Sequence, residues 1–259
     1  MAKKTFLSGI ILLLIAWPLL SAEQFFQDGF STRQIRLGME AEFFDRMITW
    51  GEDQNESSSL QSFLFLLKPS YELIEGTSVS GIIGYSLSNF NDMIFRELPF
   101  SLELNTGNID GLALGGETVI QIIKFSDFIL SARGQFIYYL GFKEQWEIPD
   151  LAVEGTATGN PYWARLTAGP KISFNVNDYL RPYVTANYDL LWGQFKMNEQ
   201  IKDLSKEQEM KIEAKSYLNF SLGTLYEIID RLDLKAEVSL LPLEKQIGLS
   251  IVVGARYSF

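Results

Sequence analysis

Two glutamates, Glu40 and Glu42, have the spacing best suited to chemistry in this chain. In an extended strand they project to the same side, about 7 Å apart at a rise of ~3.4 Å per residue. That separation suits two carboxylates that share general acid and base work. The alternative is that both face a polar interior and pair with Arg or Lys from neighbouring strands. We favour this alternative, because perturbed acids also arise in structural charge networks.

The composition argues against the commonest catalytic and metal sites. The 259 residues include no His and no Cys, which excludes imidazole proton transfer, thiolate chemistry and disulfides. The formal net charge of −10 is the opposite of the basic footprint that nucleic acid requires. Acidic residues within 45–56 and 144–154 lack the spacing of a calcium loop, so we interpret them as solvated charge. We therefore expect no enzyme activity, no metal or other cofactor, and no nucleic-acid partner.

The elements that would position the two glutamates are strands, because the dominant hydrophobic period from Arg33 onward is two. Odd-numbered residues from Ile247 to Phe259 are apolar, and so are those from Ile35 to Phe43. Eight further segments repeat the pattern. The segments run about 10–14 residues, longer than the ~5–6 of soluble strands and enough for the ~9–11 of a tilted membrane-crossing strand.

Ten such segments predict an all-β fold, a ten-stranded antiparallel transmembrane β-barrel, with eight or twelve strands as alternatives. Twelve strands would need a further hairpin, and the place for it would be 193–215. There Met210, Ile212 and Ala214 continue the alternation, so we expect that strand to project beyond the membrane. Short links alternate with long ones, such as 46–59 and 193–209. With an even strand count this places both termini in the periplasm.

The polar face of the strands would line the lumen of the barrel. Long side chains of both signs lie there and nearly cancel, so they should pair across strands rather than stay unpaired away from water. Because a ten-stranded barrel is narrow, we expect these side chains largely to fill it and conduction to be poor. The predicted lumen charge network consists of Arg36, Glu40, Glu42, Lys68, Glu117, Arg133, Arg165, Lys171, Arg181, Asp189, Lys235, Glu237 and Arg256.

Aromatic residues cluster near the expected ends of the strands. Trp50, Trp163 and Trp192 lie near the outer ends, and Tyr257 and Phe259 lie near the inner ends. We interpret them as the two aromatic girdles of the bilayer interfaces.

The first 22 residues have the layout of a cleavable secretory signal. Lys3 and Lys4 precede a mostly apolar run from Phe6 to Leu20, and small residues follow at Ser21 and Ala22. An uncleaved membrane helix is the alternative, but the run is short for one. The predicted organisation is a signal peptide at 1–22, a periplasmic N-terminal segment at 23–32 and a barrel domain at 33–259.

The C-terminal sequence Gly254-Ala255-Arg256-Tyr257-Ser258-Phe259 resembles the last strand of bacterial outer-membrane barrel proteins, which typically end in Phe. The segment 67–86, with its central short turn, resembles hairpins of small OmpA- and OmpW-like barrels. This resemblance implies that Tyr257 and Phe259 form an assembly signal for the barrel-assembly machinery. It also implies surroundings of outer-membrane lipid and lipopolysaccharide. Some ten-stranded barrels are omptin proteases, but their His-Asp site is impossible in a chain without His.

The sequence therefore predicts a non-enzymatic outer-membrane protein with a structural or surface-binding role and a largely filled polar lumen. It identifies no extracellular ligand. A narrow channel for small solutes or ions is the alternative, and an outer-membrane enzyme is a more distant one.

Overall fold

The computed structural model describes residues 35–50, 56–91, 93–95, 102–104, 106–147, 155–201, 204–214, 217–242 and 247–259. The predicted signal peptide and N-terminal segment lie outside these ranges. Within them there is no helix long and apolar enough to cross a membrane. The described strands are β1 (Ile35–Trp50), β2 (Glu56–Ile74), β3 (Thr77–Asn91), β4 (Met93–Phe95), β5 (Leu102–Leu104), β6 (Ile109–Phe125), β7 (Phe128–Gly141), β8 (Glu144–Glu147), β9 (Gly155–Phe174), β10 (Leu180–Ile201), β11 (Leu204–Ala214), β12 (Leu218–Ile229), β13 (Leu232–Pro242) and β14 (Ile247–Ser258).

Ten of these strands form a closed antiparallel ring in the order β1, β2, β3, β6, β7, β9, β10, β12, β13 and β14. The ring closes where β14 pairs with β1, from Arg36 opposite Ser258 to Asp45 opposite Leu249. Closure leaves no free edge in the ring, as a barrel within lipid requires. The prediction of a ten-stranded antiparallel barrel is confirmed.

The outer surface of the ring is apolar, because every second residue of each strand points outward. Val253 is 53% exposed, whereas the lumen-facing Ser250 and Val252 of the same strand are buried. A continuous apolar surface of this extent would be unfavourable in water and is what a bilayer accommodates. This belt includes Phe65, Ile83, Leu114, Phe136, Ile172, Val184, Phe220, Leu222, Val238, Ile251 and Val253.

The two ends of the barrel differ. One end, here named the turn end, carries the tight turns at 75–76, 126–127 and 230–231, together with the C-terminal Phe259. Gly76 has a φ of +76°, and a Cβ on it would lie 2.6 Å from that of Gln121, so only glycine suits this turn. The turn end also carries the link between β9 and β10 at 175–179. The opposite end is here named the loop end, and several strands continue there beyond the belt.

At the loop end the barrel narrows. Strand β11 folds back along β10, with Glu213 opposite Trp192, and then pairs with β1 at Ile48–Trp50. It thereby bypasses β12, β13 and β14, and the pairings form a second closed ring of β1, β2, β3, β6, β7, β9, β10 and β11. The region 193–215 does form a hairpin, but it adds no strand to the ten-stranded ring. The links expected at 46–59 and 193–209 are shorter than predicted, since β1 continues to Trp50 and β10 to Ile201.

Candidate functional site

The lumen of the barrel is filled at the loop end by apolar side chains, here named the apolar plug. They come from the eight strands of the narrower ring, and most are fully shielded from solvent. A continuous apolar cluster of this kind excludes water. The apolar plug is formed by Phe44, Ile48, Trp50, Leu60, Leu64, Phe90, Ile109, Tyr139, Ala157, Trp163, Leu191, Phe195, Met197, Met210 and Ile212.

Aromatic rings pack against one another in the centre of the plug. Trp163 stacks on Tyr139 at 5.3 Å between ring centroids, and Phe44 meets it edge-on at 5.4 Å. The Trp163 indole donates a hydrogen bond to Ser88 Oγ at 3.3 Å, and the Tyr139 hydroxyl donates one to the Ile109 carbonyl at 3.0 Å. These polar groups are therefore satisfied within the plug, as buried groups require.

The girdle interpretation was wrong for two of the three tryptophans. Trp50 and Trp163 are 1% and 0% exposed and face the lumen, not the lipid. Trp192 is 42% exposed on the outer surface. The physical reason is that the lumen at this level needs large apolar side chains to fill it, and the two indoles supply them.

Two buried ion pairs cross the lumen beside the plug. Arg165 donates two hydrogen bonds to the carboxylate of Glu42, each at 2.7 Å, and their strands, β9 and β1, lie opposite each other in the ten-stranded ring. Arg46 Nη1 lies 2.6 Å from Asp189 Oδ1. All four side chains are less than a tenth exposed. The two parallel hydrogen bonds between Arg165 and Glu42 strengthen this ion pair and fix its orientation.

On the turn-end side of these pairs, six charged side chains form a closed cycle, here named the charge ring. Going around it, Lys68 contacts Glu40 at 2.7 Å, Glu40 contacts Lys235 at 3.1 Å, and Lys235 contacts Glu237 at 3.5 Å. Glu237 contacts Arg133 at 3.4 Å, Arg133 contacts Glu117 at 2.8 Å, and Glu117 returns to Lys68 at 3.3 Å. Each member contacts two of opposite sign, so the ring is neutral.

Small residues make room for the charge ring. A Cβ on Gly254 would lie 2.8 Å from Glu40 Cγ, and one on Gly223 would lie 2.4 Å from Tyr183 Cζ. The Tyr183 hydroxyl donates a 2.6 Å hydrogen bond to Glu237. Glycine at these two positions therefore lets the larger side chains reach inward without displacing the backbone.

The remaining predicted network residues lie nearer the turn end. Arg36 forms an ion pair with Glu72, and Arg256 Nε donates to Asp233 at 2.9 Å. Arg181 is exposed and donates to Asn175 Oδ1 at 2.7 Å, a neutral partner. Lys171 has no carboxylate partner within the described residues; its ammonium lies over the Tyr183 ring, 3.9 Å from the centroid.

A cavity of about 480 Å³ opens between the charge ring and the turn end. Its wall includes Lys171 and members of the charge ring, and its mouth includes Arg36, Arg181 and Arg256. Glu40 and Glu42 therefore do not form a free carboxylate pair. Glu40 is held by two lysines, and Glu42 is held by an arginine from the opposite strand rather than a neighbouring one.

Sequence reasoning missed the apolar plug and Arg46. Beyond Glu42 three of the four lumen-facing residues of β1 are apolar, with Arg46 as the exception, so the alternation of polarity is largely lost although the strand continues. A signal was present at 63–67, where five consecutive apolar residues indicate a strand covered on both faces. Arg46 was assigned to a loop because the strand was ended too early.

No protein-family model and no curated protein sequence matches the chain. Among solved structures, it is similar to the translocator domain of the autotransporter NalP from Neisseria meningitidis, at 13% identity over 98% of both chains, with a TM-score of 0.49. It is similar to the outer-membrane protease OmpT from Escherichia coli, at 9% identity over 90% of this chain and 99% of that one, with a TM-score of 0.49. It is also similar to Ail, the attachment invasion locus protein of Yersinia pestis, at 13% identity over 86% of this chain and 98% of that one, with a TM-score of 0.33.

These identities are too low for any activity or ligand to be transferred to this chain. The closed ten-stranded ring, its apolar belt and its charged lumen are properties of this chain itself. Together they are the architecture of a bacterial outer-membrane β-barrel.

Proposed function

We propose that this protein is a non-enzymatic outer-membrane barrel with a structural or surface-binding role and a lumen closed to solutes. The observation that carries the proposal is the apolar plug, which fills the barrel at the loop end with rings in mutual contact. Ions cannot cross a dry apolar region without losing their hydration. The two buried ion pairs beside the plug add further obstruction, because breaking either one would leave a buried charge uncompensated.

The proposed orientation places the turn end and both termini in the periplasm and the loop end outside. Outer-membrane barrels have short periplasmic turns and longer outer connections, and the tight turns lie at the end where Phe259 is found. The hairpin of β10 and β11 would then stand above the outer leaflet, in contact with lipopolysaccharide.

This hairpin offers a surface to an external partner. Phe195 and Met210 are buried in the plug, whereas the alternate residues Lys196 and Glu209 face outward. Their side chains lie 3.1 Å apart, and the hydrogen bond to Glu209 raises the pKa of the Lys196 ammonium. A polar surface of this kind, projecting beyond the belt, supports a binding role rather than transport.

Planar-bilayer recording of the refolded protein tests closure of the lumen. We expect at most small or intermittent current, because the plug and the ion pairs occupy the barrel. Phe44→Ala removes a ring from the centre of the plug and should raise the frequency of openings. Phe220→Ala removes the same ring from the lipid-facing surface, where Phe220 is 49% exposed, and should leave the recordings unchanged.

A narrow channel is the second candidate, and the cavity at the turn end is the observation that favours it. A channel would need this cavity to continue through the plug. Large, stable conductance steps from protein whose folding is verified by heat-modified mobility would replace our proposal with the channel.

The absence of enzymatic activity is also part of the proposal. The chain contains neither His nor Cys, and the best-spaced carboxylates, Glu40 and Glu42, are occupied by Lys and Arg partners. A carboxylate held in a charge-assisted hydrogen bond is poorly suited to accept a proton from a substrate.

Deleting Phe259 should lower the amount of folded protein in the outer membrane. Phe259 extends the pairing of β14 with β1 that closes the barrel, since its N–H donates to the Ile35 carbonyl at 3.1 Å. Its ring meets that of Tyr257 edge-on. Loss of this residue removes the proposed signal for the barrel-assembly machinery. The measurement is the heat-modifiable band in isolated outer membranes. Phe259→Tyr is the matched control and should preserve it, whereas an undiminished band in the deletion would contradict the assignment.

A further inference from the structure

The cavity at the turn end has an unbalanced charge in its inner part. Its mouth is balanced, with four arginines, Arg36, Arg181, Arg231 and Arg256, and four acids, Glu72, Asp178, Glu227 and Asp233. Further in, the wall holds the six members of the charge ring and one additional cation, Lys171. Because the charge ring is neutral and internally paired, Lys171 is the cation left over.

Lys171 is half-buried, and the groups around it do not neutralise it. The Tyr183 ring beneath its ammonium provides a cation–π contact at 3.9 Å but carries no net negative charge. The Tyr183 hydroxyl is itself used to donate to Glu237. That carboxylate is already shared between Lys235 and Arg133. A cation held away from bulk water without a counter-charge is costly, so the site has an unfilled need for an anion.

Two serines lie beside Lys171 on the same lumen face. Ser131 on β7 is directly opposite Lys171 on β9 in the strand pairing, which places the two Cβ atoms ~5 Å apart on the same face. Ser173 is two residues further along β9 and faces the same way. Both serines line the cavity, and neither makes a side-chain hydrogen bond to any described residue.

We propose that Lys171, Ser131 and Ser173 form a binding site for one small oxyanion, a phosphate or a carboxylate, that enters the barrel from the turn end. The ammonium supplies charge and the two hydroxyls supply direction, which is the donor set that an oxyanion requires. The cavity of about 480 Å³ leaves room for such an ion together with water. This inference does not depend on whether the loop end is closed.

Equilibrium dialysis and thermal unfolding of the refolded protein test the site, with inorganic phosphate and succinate as separate probes. We expect saturable binding of one ion per chain and a rise in the unfolding temperature that follows it. Sodium chloride at the same ionic strength should reproduce neither effect. Whichever probe binds more tightly identifies phosphate or carboxylate as the preferred ligand.

Lys171→Met should weaken anion binding at least about tenfold, since it removes a charged hydrogen-bond donor. Without anion, this variant should be no less stable than the unmodified protein, because a half-buried, uncompensated charge is gone. Lys124→Met, at an exposed position outside the cavity wall, should bind as the unmodified protein does. Should Lys171→Met fail to refold, the double change Ser131→Ala and Ser173→Ala provides the same test with little loss of volume. Equal affinity in these variants and the unmodified protein, or no binding of either probe, would overturn the proposal.

Discussion

Replacing Arg165 with Met should lower the free energy of unfolding of the barrel by about 3–5 kcal/mol, the range found when one member of a buried ion pair is removed. Glu42 would lose both of its 2.7 Å hydrogen bonds from Arg165. The only other side chain that donates to it in the described part of the chain is Ser250, at 3.3 Å. The measurement is reversible urea unfolding in phospholipid vesicles, followed by tryptophan fluorescence.

The double variant Arg165→Met, Glu42→Gln separates loss of the pair from loss of packing. If the cost of the single change is the isolated carboxylate, neutralising Glu42 should recover a large part of it. If the cost were only the lost contact of Arg165 with the Phe44 ring, at 5.0 Å, the double variant would be no more stable than the single one. That result would contradict the electrostatic account.

Val253→Arg should destabilise the barrel by about 2–4 kcal/mol, the cost of an arginine near the bilayer midplane of an outer-membrane barrel. Val253 is 53% exposed on the outer surface, in the middle of β14, between Ala41 and Ala236 on the neighbouring strands. These neighbours offer no polar group to a guanidinium. The loss is measured by the same unfolding titration in vesicles of defined acyl-chain length.

Val119→Arg is the matched control, because it makes the same exchange at a position that lines the cavity at the turn end instead of the lipid-facing surface. Its effect should be much smaller. A neighbouring lumen residue such as Ser250 would be a poor control, since it is buried and donates to Glu42. Similar losses for Val253→Arg and Val119→Arg would mean that the assignment of outer and inner faces is wrong.

Period-two patterning was sufficient to predict the strand count and the outward face. In β14 the outward positions, such as Ile251 and Val253, are all apolar, while Gly248, Ser250 and Gly254 face inward. A polar–apolar contrast of this kind is sufficient to place a strand across a membrane, because the bilayer imposes it on every strand.

The patterning did not predict the loop end, because the contrast between the faces disappears there. Trp50 and Trp163 have the composition of an interfacial girdle, yet they turn inward to fill the barrel. The sequence also did not predict which charged residues pair. Glu42 pairs with a residue of the opposite strand, and Asp189 pairs with Arg46. Which strands face each other across the lumen is decided only when the barrel closes, so the spacing of residues within one strand does not encode it.

Strand β1 receives all its partners other than β2 from the distant end of the chain. It pairs with β14 along Arg36–Asp45 and with β11 along Ile48–Trp50, and both partners follow it by more than 150 residues. Since contacts between distant segments form slowly, closure of the barrel awaits the synthesis and delivery of the whole chain. Until then β1 presents an unpaired, partly apolar edge, which is a template for aggregation. The exposed edge of β1 is therefore the part of the unclosed barrel most open to pairing with other chains, until β11 and β14 cover it.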